Sequence, residues 1–171
     1  MSLLSRLFST KPDPREALRP LWHALVAEAR DPAWYTEGGV ADTVPGRFDM
    51  VCAVTATALV RMERDGALAD ESVLLTELFV EDMDGQLREF GVGDVVVGKH
   101  VTKLMGAMGG RLNAYRDGLA GGEPLLAEAL RRNVSFGERG DPGAVARRML
   151  AFAGRLDRTD NAGLVAGRIA A

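Results

Sequence analysis

The short pattern most suggestive of chemistry in this 171-residue chain is G-D-V-V-V-G-K-H, from Gly93 to His100. It nearly fits the phosphate-binding loop, in which backbone N–H groups cradle phosphates, a Lys reaches them and a Ser or Thr holds Mg²⁺. Here His100 stands where Ser or Thr is needed, and three valines fill the cradle. The preceding residues 86–90 are charged and helical in pattern, whereas that loop follows a buried strand. Nucleotide hydrolysis is the weakest reading. Glu81, Asp82, Asp84 and Glu89 supply carboxylates, but their spacing fails the 12-residue loop that a calcium site requires. They read better as helix-end carboxylates capping N–H groups and pairing with Arg88. Cys52 sits in an apolar run and reads as a buried, inert thiol. His23 and His100 are far apart and lie in no His/Cys cluster, so no zinc site is expected. No nucleophile–base pair can be assembled. The expectation is a protein that is not an enzyme and uses no cofactor or metal.

Two further patterns point to contact. Projected as a helix, residues 94–120 place Val97, Val101, Leu104, Met108, Leu112, Tyr115 and Leu119 on one apolar stripe. Lys99, Lys103, Gly106, Ala107, Gly110, Asn113 and Ala114 lie opposite. Each helical Gly costs about 1 kcal/mol relative to Ala, so Gly106, Gly109 and Gly110 need compensation. The Gly106-x-x-x-Gly110-x-x-x-Ala114 spacing admits a closely packed second helix. That helix is expected within this same chain; the alternative is a groove for a partner's helix. Lys99, Lys103, Arg111 and Arg116 form a basic stripe with no acid among residues 99–116. It reads as a solvated face, with an anionic contact (lipid headgroup, RNA or an acidic partner) as the alternative.

The elements that position these residues are helical nearly throughout. Asp13-Pro14 opens the first helix as cap and first-turn proline, and Asp31-Pro32 ends it. Residues 31–46 form a packed loop with two aromatics, Trp34 and Tyr35. Residues 47–64 form an apolar, central helix. Asp70 caps the next, whose buried face is Leu74, Leu75, Leu78 and Phe79. Gly91 and Gly93 mark a boundary, and Asp94 caps the long helix ending near residue 120. Glu123-Pro124 and Asp141-Pro142 start two more, through Asn133 and about Arg158, and Asp160 caps a short last one. The predicted fold is all-α: one compact multi-helix domain of about six or seven helices with one long central helix.

Composition agrees with a globular domain: 47% of residues are hydrophobic and 26% charged, which argues against disorder. The net charge of -3 argues against a generally cationic DNA binder. Of 21 basic residues, only Lys11, Lys99 and Lys103 are lysine, which, with the Ala and Gly enrichment, points to a GC-rich bacterial genome. One cysteine permits no internal disulfide. The apolar run at residues 50–62 is too short and interrupted to span a bilayer. Residues 1–12 carry Leu3, Leu4, Leu7 and Phe8 but no sustained signal-peptide core. They are expected to be a flexible or membrane-surface segment ahead of a helical domain at 13–171.

Two blocks resemble the ubiquinol–cytochrome c chaperone family, the assembly factors of the respiratory bc1 complex. The first contains Trp34, Tyr35, Gly38, Asp42, Gly46, Arg47, Phe48, Asp49 and Met50. The second runs E-L-F-V-E-D-M-D-G-Q-L-R-E-F-G-V-G-D-V-V-V-G-K, then M-G-G-R-L-N-A-Y. It includes Asp82, Asp84, Arg88, Gly91, Gly93, Asp94, Lys99, Arg111 and Tyr115. Residues 20–120 carry the resemblance, and the C-terminal third matches only in helical character. Where family members carry an aromatic pair before Gly-Arg, this chain has Met108 and Gly109. The resemblance implies a noncatalytic chaperone that binds newly synthesised cytochrome b, with a small partner protein or a second copy, the ribosome or the membrane surface as further partners. It implies a cytoplasmic protein, peripheral on the inner membrane in bacteria and mitochondrial in eukaryotes. A ribosome- or RNA-associated module using the 99–116 basic stripe is the alternative. The expected contact residues are Asp82, Asp84, Arg88, Lys99, Lys103, Gly106, Gly110 and Arg111. Trp34, Tyr35, Arg47, Asp49, Gly91, Gly93, Asp94 and Tyr115 are expected to be structural, with Asp49 favouring a helix dipole and Arg47 pairing with the acids at 82–84.

Overall fold

A computed structural model describes the backbone at residues 13–64, 66–89 and 94–171, and the side chains of these except 84, 86–89, 94–105 and 107. A 3-10 turn, Pro14–Leu18, runs into α1, Arg19–Ala29. There follow α2 (Ala33–Thr36), α3 (Val44–Glu63), α4 (Ala69–Glu89), α5 (Asp94–Gly121), α6 (Glu123–Asn133), α7 (Pro142–Arg158) and α8 (Asn161–Val165). The described residues thus form six longer α-helices and two short ones, an all-α fold.

The caps act where local chemistry places them. The Asp13 side chain accepts from Arg15 N–H, Asp141 from Ala144 N–H at 3.0 Å and Asp160 from Gly163 N–H at 2.6 Å. Each satisfies a donor that a helix N-terminus leaves without an intrahelical partner. Three boundaries differ from expectation. Residues 33–36 of the expected loop close a helical turn. Helix α3 begins at Val44, three residues early, because Thr43 caps it through Gly46 N–H. Helix α4 begins at Ala69, so Asp70 and Glu71 both occupy its first turn, where carboxylates favour the positive end of the dipole. The boundary glycines Gly91 and Gly93 lie outside the described residues.

Helix α3 is the buried centre. Every residue from 49 to 60 is buried, because α1, α4, α5 and α7 all pack around it. Such a helix must be apolar on all sides, as M-V-C-A-V-T-A-T-A-L-V is. Its buried Thr57 hydroxyl donates to the Ala53 carbonyl at 2.9 Å. Trp22 of α1 meets Phe79 of α4 edge to face, with centroids 6.1 Å apart. Trp34 is fully buried; its indole N–H donates to the Glu28 carbonyl at 2.8 Å, and the Arg148 guanidinium lies 4.9 Å over its ring. The Tyr35 hydroxyl donates to the Ala29 carbonyl at 2.8 Å.

The loop before α3 is zipped to the loop between α6 and α7. Ala41 N–H donates to the Ser135 carbonyl, Gly137 N–H to Gly39 and Asp141 N–H to Gly38, each at 2.9 Å. Gly39 has φ +66, and a Cβ there would lie 2.4 Å from the Arg139 carbonyl oxygen. Left-handed backbone costs an L side chain roughly 1–2 kcal/mol before any clash. Gly39→Ala is therefore expected to destabilise the domain by about 2 kcal/mol or more in urea unfolding. Gly66, where a Cβ would meet nothing described within 4 Å, should accept Ala with little change. Equal effects of the two substitutions would contradict this account of the loop pair.

Candidate functional site

Helix α5 carries most of the expected contact residues, and its two sides are unlike. On the packed side, Met108 and Tyr115 are buried, and Leu112 and Leu119 rest against the core. On the outer side, Gly106, Gly109 and Gly110 are exposed, and a Cβ built on any of them would meet nothing described within 4 Å. Among the described residues, the expected same-chain helix over the Gly106–Gly110 face is not found. Among the described residues, the loss of helix propensity there, about 1 kcal/mol per Gly, is not offset by packing on that side. Ala114, the third member of the small-residue series, instead packs against the core.

Arg111 does not point outward as an exposed contact. Its Nη2 donates to Asp49 Oδ1 at 2.8 Å, its side chain is 18% exposed, and its guanidinium lies 5.6 Å over the Phe48 ring. The second Asp49 oxygen accepts from the Ser135 N–H at 3.0 Å and the Ser135 hydroxyl at 2.8 Å. Asp49 thus joins α3, α5 and the α6–α7 loop. Asp49 and Arg111 both stand in the recognised motif blocks, but nothing in their spacing says that they meet. Ser135 escapes a sequence reading entirely, lying in an unremarkable loop.

Arg47 pairs with Asp42, Nε to Oδ1 at 2.6 Å, and not with the acids at 82–84. The pair closes a turn at the start of α3, five residues apart, and is largely exposed, so it holds little energy. At the α4 junction, Glu81 lies 3.1 Å from Arg15. Asp82 is exposed. Asp84, Arg88, Asp94, Lys99 and Lys103 have side chains outside the described residues. The backbone from Asp94 through His100 is α-helix, so residues 94–100 provide no phosphate cradle. Arg116 of the basic stripe binds Glu63 at 2.6 Å. Two of the four basic residues of that stripe are therefore engaged by carboxylates.

A cleft of ≈ 510 Å³ lies between α3, α5 and α7, with Val60, Leu119, Leu150 and Ala153 in its lining and Arg64 and Arg116 among its charged residues. Arg64 is held by Asp157 at 2.5 Å. Among the described residues, no group of three His, Cys, Asp or Glu side chains is placed to hold a metal ion. No described helix is long and apolar enough to cross a membrane.

Fold and site together define a class: an all-α domain whose longest helix is bolted on one side and, among the described residues, uncovered along a face of small residues. A family model for the ubiquinol-cytochrome C chaperone matches residues 36–171, and the chain belongs to that family. The match continues through the C-terminal third, where the motifs show only helical character, and starts after Trp34 and Tyr35. A solved structure titled as the crystal structure of the Cbp3 homolog from Brucella abortus is similar, with TM-score 0.79 and 31% identity. The alignment covers 98% of this chain and 96% of that one. No curated protein matches.

Cys52 and Tyr115 face the same buried pair. Burial pushes the Cys52 thiol up to about 12, although Arg111 favours the thiolate. Burial likewise raises the Tyr115 phenol. A folded state that keeps protons the unfolded chain releases is stable below the ordinary thiol value of 9.0 and loses stability as pH rises above it. Urea midpoints should therefore fall from about pH 9 upward, and Cys52→Ala should flatten that decline. At neutral pH, a thiol reagent should modify Cys52 only after unfolding. Rapid modification of the native protein would contradict this burial.

Proposed function

We propose that this chain is a noncatalytic assembly chaperone that binds newly synthesised cytochrome b and promotes biogenesis of the respiratory bc1 complex. Family membership over residues 36–171 supports the class of activity. The observation that supports a contact surface is the open face of α5 at Gly106 and Gly110. Small residues let two helix backbones approach closely, which is how helices associate where apolar burial gives little advantage. An apolar membrane subunit awaiting assembly offers helices of that kind. Lys99 and Lys103 belong to the same helix, one turn apart in sequence, and complete the proposed contact with Asp82, Asp84 and Arg88 at its approach. The protein acts in the cytoplasm at the inner-membrane surface, alone, as a pair of copies, or with a small partner protein.

The ribosome- or RNA-binding alternative draws less support, because Arg111 and Arg116 are held by Asp49 and Glu63. Its signature is steep salt dependence of association.

Deletion of the gene should abolish assembled bc1 complex while leaving cytochrome b synthesis intact. Gly106→Leu should leave the domain folded, since the position is open, yet reduce recovery of cytochrome b with the purified protein at least about tenfold, a loss of roughly 1.4 kcal/mol in binding. Normal bc1 levels in the deletion strain would overturn the function. Undiminished cytochrome b recovery with Gly106→Leu would move the contact off this face.

A further inference from the structure

We propose that the cleft between α3, α5 and α7 is a binding site for a single-chain amphipathic anion, a fatty carboxylate, with its chain on the apolar lining and its head on two arginines. The cleft volume of ≈ 510 Å³ falls within the roughly 300–1,000 Å³ of small-molecule sites. Val60, Leu119 and Leu150 supply apolar surface from the three helices. Thr57 also lines the cleft, but its hydroxyl already donates to the Ala53 carbonyl. The charged lining is unbalanced: Arg61, Arg64 and Arg116 stand against two carboxylates, Glu63 and Asp157. Arg61 Nε and Arg64 Nη2 share one oxygen of Asp157, at 3.8 and 2.5 Å, while Arg116 holds Glu63 at 2.6 Å. Arg61 is fixed further by the Thr159 carbonyl and the Asn161 side chain. Arg64 and Arg116 are 57% and 41% exposed, and ion pairs so exposed hold little energy. A ligand anion can therefore draw either guanidinium from its present partner, and a guanidinium grips a carboxylate through two parallel N–H bonds. This combination selects the ligand class. An inorganic anion would leave the apolar lining in water, a neutral apolar molecule would leave the excess positive charge unmatched, and a cation would be repelled by it. A fatty carboxylate, ionised at neutral pH, matches both surfaces.

The test is calorimetric titration of the full-length wild type and its variants at neutral pH with decanoate and with its neutral counterpart decanol, both as monomers in solution. The expected result is one decanoate per chain with a dissociation constant on the order of 100 μM or tighter, and decanol at least about tenfold weaker. Arg64→Gln combined with Arg116→Gln should weaken decanoate about tenfold and leave decanol unchanged, because a charge-assisted contact is lost. Gly154 lines the cleft, and among described atoms an added Cβ there meets only Arg158 Nη1, at 3.5 Å. Gly154→Leu should therefore fold and, by filling the space, weaken both ligands at least about tenfold. Ala153→Met, on the same lining, repeats the block independently. Decanoate should also raise the thermal unfolding midpoint of the wild type and not that of the blocked variants. No decanoate binding to the folded wild type, equal affinity for decanol, or undiminished binding in the folded blocked variants would overturn the proposal. Association with anionic phospholipid vesicles but not with monomeric decanoate would also overturn it, and would assign the two arginines to a membrane surface.

Discussion

A buried carboxylate is costly unless its oxygens find donors, and Asp49 meets that condition because three parts of the chain converge on it. Arg111 comes from α5, and Ser135 supplies both a backbone and a hydroxyl donor from the α6–α7 loop. Breaking such a pair on one side strands a charge, at a typical cost of 3–5 kcal/mol. The convergence therefore restrains more than a local contact. It requires α5 to lie along α3 in one register, and it requires the α6–α7 loop to close over the start of α3, where the Gly38, Gly39 and Ala41 hydrogen bonds complete the join.

From this constraint follows the asymmetry of α5. The helix is packed through Met108, Leu112 and Tyr115 and anchored through Arg111, so its glycines are left on the other side. In most helices such glycines weaken the element without return. Under the proposed function, this small-residue face is the surface on which a client helix would lie. Within this turn Met108 is buried and Gly109 is exposed.

The sequence made the fold legible where the physics is local. Asp13-Pro14, Glu123-Pro124, Asp141-Pro142 and Asp160 mark helix starts through side chains and prolines acting within three residues, and the structure places helix starts at each. The all-apolar run after Asp49 could only be a surrounded helix. Ion-pair partners are the part that residue order does not settle. Arg47, expected to reach acids about 35 residues away, pairs instead with Asp42, five residues away, with no tertiary contact. Arg111 looked like a surface cation because no acid lies near it in sequence; its partner is 62 residues away. The Gly106–Gly110 spacing suggested a close helix approach, but spacing carries no information on whose helix would make it, and no described residue of this chain does. Residues 33–36 read as loop because four residues are too few to show helical periodicity.

The central claim is that Asp49 and Arg111 form one energetic unit that holds α5 on α3, and a double-mutant cycle tests it most directly. Wild type, Asp49→Asn, Arg111→Leu and the double variant would be compared by urea unfolding at neutral pH. The account predicts a coupling energy of about 2 kcal/mol or more, with the double variant no less stable than the worse single one. A coupling near zero, with the two losses adding, would contradict it.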